Sequence, residues 1–182
     1  MKNVLIILCL IMLFYSSSSF AQNGSNHIGI GATVGIPTGD FGDLVKVGFG
    51  GYARAMIGVG KAGEALLTTG YTTYGVKDLP SGLSANYYII PILVGYRHNL
   101  NGFYVEPQLG IGIYGARATY SGSSESDSKS AFTWAAGIGY QVDNFDIGLR
   151  YQSGKIKDAD APFSLVAINI GYNIPFRTSR TK

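Results

Sequence analysis

From residue 145 to residue 152 the chain reads FDIGLRYQ, and apolar and polar positions alternate without a break: Phe145, Ile147, Leu149 and Tyr151 against Asp146, Gly148, Arg150 and Gln152. A period of two residues marks a β-strand whose two faces meet different surroundings. The pattern recurs near the C-terminus, where Val166, Ile168, Ile170, Tyr172, Ile174 and Phe176 alternate with Ala167, Asn169, Gly171 and Asn173. AFTWAAGIGYQV (131–142) and FYVEPQLGIGIYG (103–115) sort the same way, with Phe132, Trp134, Ile138 and Tyr140 on one apolar face and Phe103, Val105, Leu109 and Ile111 on the other strand's. Upstream, NYYIIPILVGYR (86–97) and HIGIGATVGIP (27–37) add two more strands, and residues 47–59 and 64–74 two further ones. In 64–74 the apolar side chains Leu66, Leu67, Tyr71 and Tyr74 do not choose a face. The chain therefore reads as all-β with eight strands.

Alternation alone also suits a soluble barrel with its apolar side inward, and the composition of the polar side decides between the two. That side is rich in Gly, Ala, Thr, Asn and Gln with few charges. It is too sparse for a wall facing water and suits a narrow lumen. Charged residues make up only 14% of the chain, against a usual quarter, so something other than charge covers the outside. Tyrosine or tryptophan near strand ends, as at Tyr88, Tyr96, Trp134 and Tyr140, suits aromatic girdles at two membrane interfaces. The connections alternate in length: 60–63, 98–102 and 143–144 are short, whereas 38–46, 75–85, 119–129 and 153–162 are long. Short periplasmic turns and longer outside loops belong to an antiparallel up-and-down transmembrane β-barrel with both termini in the periplasm.

Residues 1–21 read as a cleaved signal peptide. Lys2 precedes a 12-residue apolar run (4–15), and Ser19 and Ala21 are the small residues before a cut after Ala21. A membrane anchor needs about 20 apolar residues. Cys9 leaves with this leader, so residues 22–182, the barrel domain, have no disulfide, thiolate ligand or cysteine nucleophile. The formal charge falls from +3 to +2 with the loss of Lys2, too slight to suggest nucleic acid as a partner.

Three stretches carry a resemblance to a known family: GIGATVGIPTGDFGD (29–43), IPILVGYR (90–97) followed by FYVEPQLGIG, and the last strand. The chain resembles the small outer-membrane β-barrels of the OmpA and OmpX kind, and more closely the barrel family common in Bacteroides-like Gram-negative bacteria. The resemblance implies an outer-membrane location, with outer-membrane lipid around the barrel. It also implies the outer-membrane insertion machinery as a partner during biogenesis, for which Asn169, Gly171, Ile174 and Phe176 match the terminal-strand signal. No cofactor is implied.

Candidate chemistry is thin. Arg54, Glu106, Asp146 and Arg150 project onto the lumen face, two positive and two negative. In an eight-stranded barrel such charges pair into a structural plug, or form a gate on an ion path. His27 and His98 fall near the periplasmic ends with no nucleophile beside either, so an enzyme is not expected. Glu125 and Asp127 sit among serines in a segment expected to be a solvated loop rather than a calcium site. GIGATVG is not read as a dinucleotide fingerprint, since no strand-to-helix turn is expected after it. Arg177, Arg180 and Lys182 form a basic tail read as a frayed terminus. The reading is a plugged barrel whose outside loops serve structural or interaction roles. The alternatives are a narrow porin-like channel or small hydrophobic-ligand transporter, and an accessory barrel in secretion or assembly.

Overall fold

The computed structural model describes residues 26–176 other than 61, 81, 82, 121, 122 and 158. The expected leader, its cut after Ala21 and the basic tail at Arg177, Arg180 and Lys182 lie outside the described residues. Eight strands form a closed antiparallel barrel in sequence order: β1 (Asn26–Thr38), β2 (Gly48–Val59), β3 (Gly63–Gly75), β4 (Leu83–Leu100), β5 (Phe103–Tyr120), β6 (Ser123–Val142), β7 (Phe145–Gly154) and β8 (Phe163–Phe176). One short helix, α1 (Asp40–Leu44), lies between β1 and β2. The barrel closes where β1 pairs with β8, from Asn26 opposite Phe176 to Thr38 opposite Ser164. Closure leaves no open edge along the wall, the condition for strands to sit in hydrocarbon.

The apolar positions of the alternating segments face outward. Ile30, Ile92, Leu109, Phe132, Ile147 and Ile170 are each about half exposed or more, while Arg54, Arg97, Glu106 and Asp146 on the opposite parity are buried. The outer aromatic side chains pair in two zones. Phe103 with Tyr140 and Phe145 with Tyr172 lie at the end holding the chain termini, and Tyr71 with Tyr88 and Trp134 with Tyr151 lie toward the other end.

At the terminal end the connections are tight. Asn101 and Gly102 both have positive φ, 53° and 96°, the conformation a two-residue hairpin needs to match strand twist, and only Asn, Asp and Gly adopt it readily. At the opposite end, here the loop end, two of the four connections depart from expectation. Residues 119, 120 and 123–129 are strand rather than loop: the β5–β6 ladder runs to Thr119 opposite Ser124 and Tyr120 opposite Ser123. Glu125 and Asp127 are therefore strand residues, opposite Ala118 and Ala116. β7 pairs with β6 only from Thr133 to Val142, so the β6 stretch Ser123–Phe132 has β5 on one side and no strand on the other. The result is a three-stranded ribbon of β4, β5 and β6 that continues beyond the rest of the barrel.

The connection between β1 and β2 turns inward instead of outward. Phe41 of α1 is 3% exposed and packs edge-on against Tyr74 and Phe163, with ring centres 5.4 and 5.1 Å away. Val45 bridges to Val76, and Lys77 Nζ donates to the Gly42 carbonyl at 2.6 Å, so the helix is tied down from the β3–β4 connection as well. Contrary to expectation, a strand-to-helix turn does follow GIGATVG. Its helix has five residues and carries Asp40 and Asp43 in the first turn, which opposes rather than cradles a phosphate.

Candidate functional site

The lumen is filled in two layers. Nearer the loop end, Phe41, Val45, Tyr74, Ile89, Tyr114 and Leu165 form an apolar cluster that closes the mouth. Below it lies an ionic layer. Glu106 on β5 receives Arg97 of β4, whose Nη2 and Nε donate at 2.9 and 3.1 Å, and Arg54 of β2, whose Nη2 donates at 3.2 Å. Asp146 on β7 takes a 2.8 Å bond from Arg97 Nη1 and a 2.9 Å bond from the Tyr104 hydroxyl, and Arg54 Nη1 approaches it at 3.9 Å. Gln108 Nε2 donates to Glu106 at 3.2 Å, and Arg97 Nη1 to Gln141 Oε1 at 3.3 Å. Side chains from five strands are thus joined across the lumen.

The arrangement follows from strand parity. Side chains at i and i+2 share a face, so Tyr104, Glu106 and Gln108 rise as one inward row on β5. Arg97 follows outward-facing Tyr96 and must therefore face inward. Space for the large side chains comes from glycine on neighbouring strands. A Cβ at Gly139 would collide with the Tyr104 ring, and one at Gly148 would approach its hydroxyl to 2.5 Å.

Of the four lumen residues read from the sequence, Arg54, Glu106 and Asp146 come together. Arg150 lies in the lumen but makes no ion pair with a described carboxylate, and its Nε and Nη1 have no hydrogen-bond partner. The sequence reading missed Arg97, the member with the most bonds, although the alternation that places Tyr96 outside was the signal for it. It also missed the role of Tyr104. The terminal-strand residues sit on β8 as their parity dictates, Asn169 and Gly171 inward and Ile174 and Phe176 outward. A Cβ at Gly171 would strike the Tyr52 hydroxyl.

The histidines are both at the terminal end. His27 Nδ1 stands 3.4 Å from Glu64 Oε1, and His98 stacks on Tyr96 at 6.2 Å. Among the described residues no cluster of three or more histidine, cysteine or acidic side chains is placed to hold a metal ion.

Residues 6–176 match the family model described as the outer membrane protein beta-barrel domain. No curated protein matches the chain in sequence. Among solved structures, the chain is similar to Ail, the attachment invasion locus protein of Yersinia pestis, at 20% identity and a TM-score of 0.63, covering 83% of this chain and 99% of that one. Ail in complex with the heparin analogue sucrose octasulfate superposes with a TM-score of 0.65 at 21% identity, over 83% of this chain and 99% of that one. The N-terminal β-barrel domain of Pseudomonas aeruginosa OprF aligns at 15% identity with a TM-score of 0.58, over 84% of this chain and all of that one. At these identities the likeness is one of fold.

Proposed function

The chain belongs to the outer membrane protein β-barrel domain family and resides in the bacterial outer membrane, and from that premise we propose that it is a closed, non-conducting barrel that works through the surface it presents outside the cell. The observation that carries this reading is the ionic layer. Arg54, Arg97, Glu106 and Asp146 are each no more than 2% exposed, and they bond to one another across the lumen. An ion entering would have to part bonds that hold buried charges, and each parted pair leaves an uncompensated charge in a low-dielectric interior. The aromatic closure around Phe41 stands in series with it.

The connections support an orientation. The tight turns and both described chain ends sit together, which supports a periplasmic terminal end and an external loop end. The β4–β5–β6 ribbon then stands outside the membrane, with the free backbone groups of Ser123–Phe132 along one side. An unpaired edge takes up an extended segment of another protein by strand addition, which gives the interaction role its surface. Asn169, Gly171, Ile174 and Phe176 serve as the signal to the insertion machinery, and outer-membrane lipid covers the apolar wall. No hydrolytic activity is part of this reading. His27 and His98 lie at the periplasmic end, where His27 Nδ1 stands 3.4 Å from the Glu64 carboxylate.

Planar-bilayer recording of refolded residues 22–182, after heat-dependent gel mobility has established folding, tests the reading. Insertion without conductance is the expected result. Reproducible unitary conductance would overturn it and make the ionic layer a gate.

A further inference from the structure

Three arginines are buried in the lumen among the described residues, and two of them, Arg54 and Arg97, have carboxylate partners. Arg150 has none. It is 5% exposed, with its Nε and Nη1 enclosed and without a hydrogen-bond partner. Glu106, a carboxylate whose field reaches it, is already bonded to Arg54 and Arg97, and Arg54 itself adds a like charge. A guanidinium does not shed its proton to escape such a site, so the charge persists. An enclosed charge without a counter-charge is costly.

Arg150 borders a cavity of about 10 Å³ between the ionic layer and the aromatic closure. Its other polar walls are Thr33, Thr72, Tyr74 and Gln152, all able to donate a hydrogen bond, and no carboxylate lines it. Ile89, Pro91, Leu165 and Ala167 complete the wall. The volume is on the scale of a single water molecule or atomic ion. A water molecule accepts hydrogen bonds from Arg150 but leaves its charge unbalanced, whereas a small anion does both. We propose that this cavity binds one monatomic anion of the halide class, held by the Arg150 guanidinium and the surrounding hydroxyl and amide donors. A polyatomic organic anion does not fit the space. The inference is independent of whether the barrel conducts, since it concerns occupancy of an internal site.

Two measurements on the refolded barrel test it. Crystals grown with bromide as the only halide are expected to show an anomalous peak beside Arg150. Thermal unfolding at constant ionic strength is expected to show saturable stabilisation when chloride replaces gluconate, reaching about tenfold in the folded-to-unfolded ratio at chloride ten times its dissociation constant. Arg150→Met removes the charge at similar length and is expected to abolish the chloride dependence. Equal stability in chloride and gluconate, or dependence that survives Arg150→Met, overturns the proposal. If Arg150→Met does not refold, the bromide map of the native chain decides: water density without an anomalous peak overturns it.

Discussion

The guanidinium carbon of Arg97 lies 3.5 Å from the centre of the Tyr104 ring. The same tyrosine donates its hydroxyl to Asp146, which Arg97 also holds. Arg97 is thus stacked on one face and bonded to two carboxylates in its plane, a fit that the forked guanidinium makes and lysine does not. The three side chains form one unit in which each partner fixes the orientation of the others.

Breaking that unit on one side is expected to be expensive. Arg97→Met leaves Glu106 and Asp146 short of a partner and should cost about 3–5 kcal/mol. Arg97→Met combined with Glu106→Leu should cost less than the sum of the two single changes. Urea unfolding of the refolded proteins, read by heat-dependent gel mobility and arranged as a double-mutant cycle, measures the coupling. Additive costs would mean that the pair acts independently.

Phe41→Ala empties the centre of the aromatic closure and should destabilise the barrel by about 3–5 kcal/mol, the usual cost of truncating a buried aromatic. Because the ionic layer is separate, the variant should still insert without conductance. Conductance from Phe41→Ala would place the barrier at the mouth.

Gly171 separates two roles that coincide at one position. Gly171→Ala should lower stability by about 1–3 kcal/mol through collision with Tyr52, and Tyr52→Phe should restore part of it by removing the hydroxyl that meets the new Cβ. Partial rescue of both refolding and membrane insertion would identify the glycine as a packing residue. Rescue of refolding alone would assign the insertion defect to the signal.

Trp134 is the chain's single tryptophan and is 44% exposed on the outer wall. Its fluorescence should be quenched strongly by bromine-labelled acyl chains and weakly by iodide in water. The opposite ranking would invert the inside–outside assignment.

In the β4–β5–β6 ribbon, amides of Ala116–Tyr120 lie between two paired strands, whereas every second amide of Ser123–Phe132 points to an open side. Hydrogen exchange resolved by residue should show fast and slow amides alternating in that β6 stretch. Uniform protection there would mean that another chain already covers the edge.

The wall of the barrel was legible because lipid enforces the alternation. Ile147, Leu149 and Tyr151 face hydrocarbon, and every inward neighbour had to be small or polar. The ribbon was not legible because both its faces are wet: SSESDSKS offers no apolar parity, so 119–129 read as a loop. In β3, Leu66 and Tyr74 point inward and Leu67 and Tyr71 outward, so apolar side chains on both faces erased the period. Arg97 was within reach of parity reasoning. Phe41 was not, because its partners Tyr74, Tyr87 and Phe163 are distant in sequence and a lone aromatic in a glycine-rich connection does not reveal which way it turns.

The contact between Phe41 and Phe163 joins the link after the first strand to the first residue of the last one. Those two strands meet at the seam where the sheet becomes a cylinder, paired along its length by ladder bonds. To unzip the seam from the loop end, the chain must first draw Phe41 out of its buried seat. The aromatic closure therefore acts as a latch on the wall as well as a stopper in the bore, so the barrel resists lateral opening toward lipid most strongly at the end where β1 and β8 separate last.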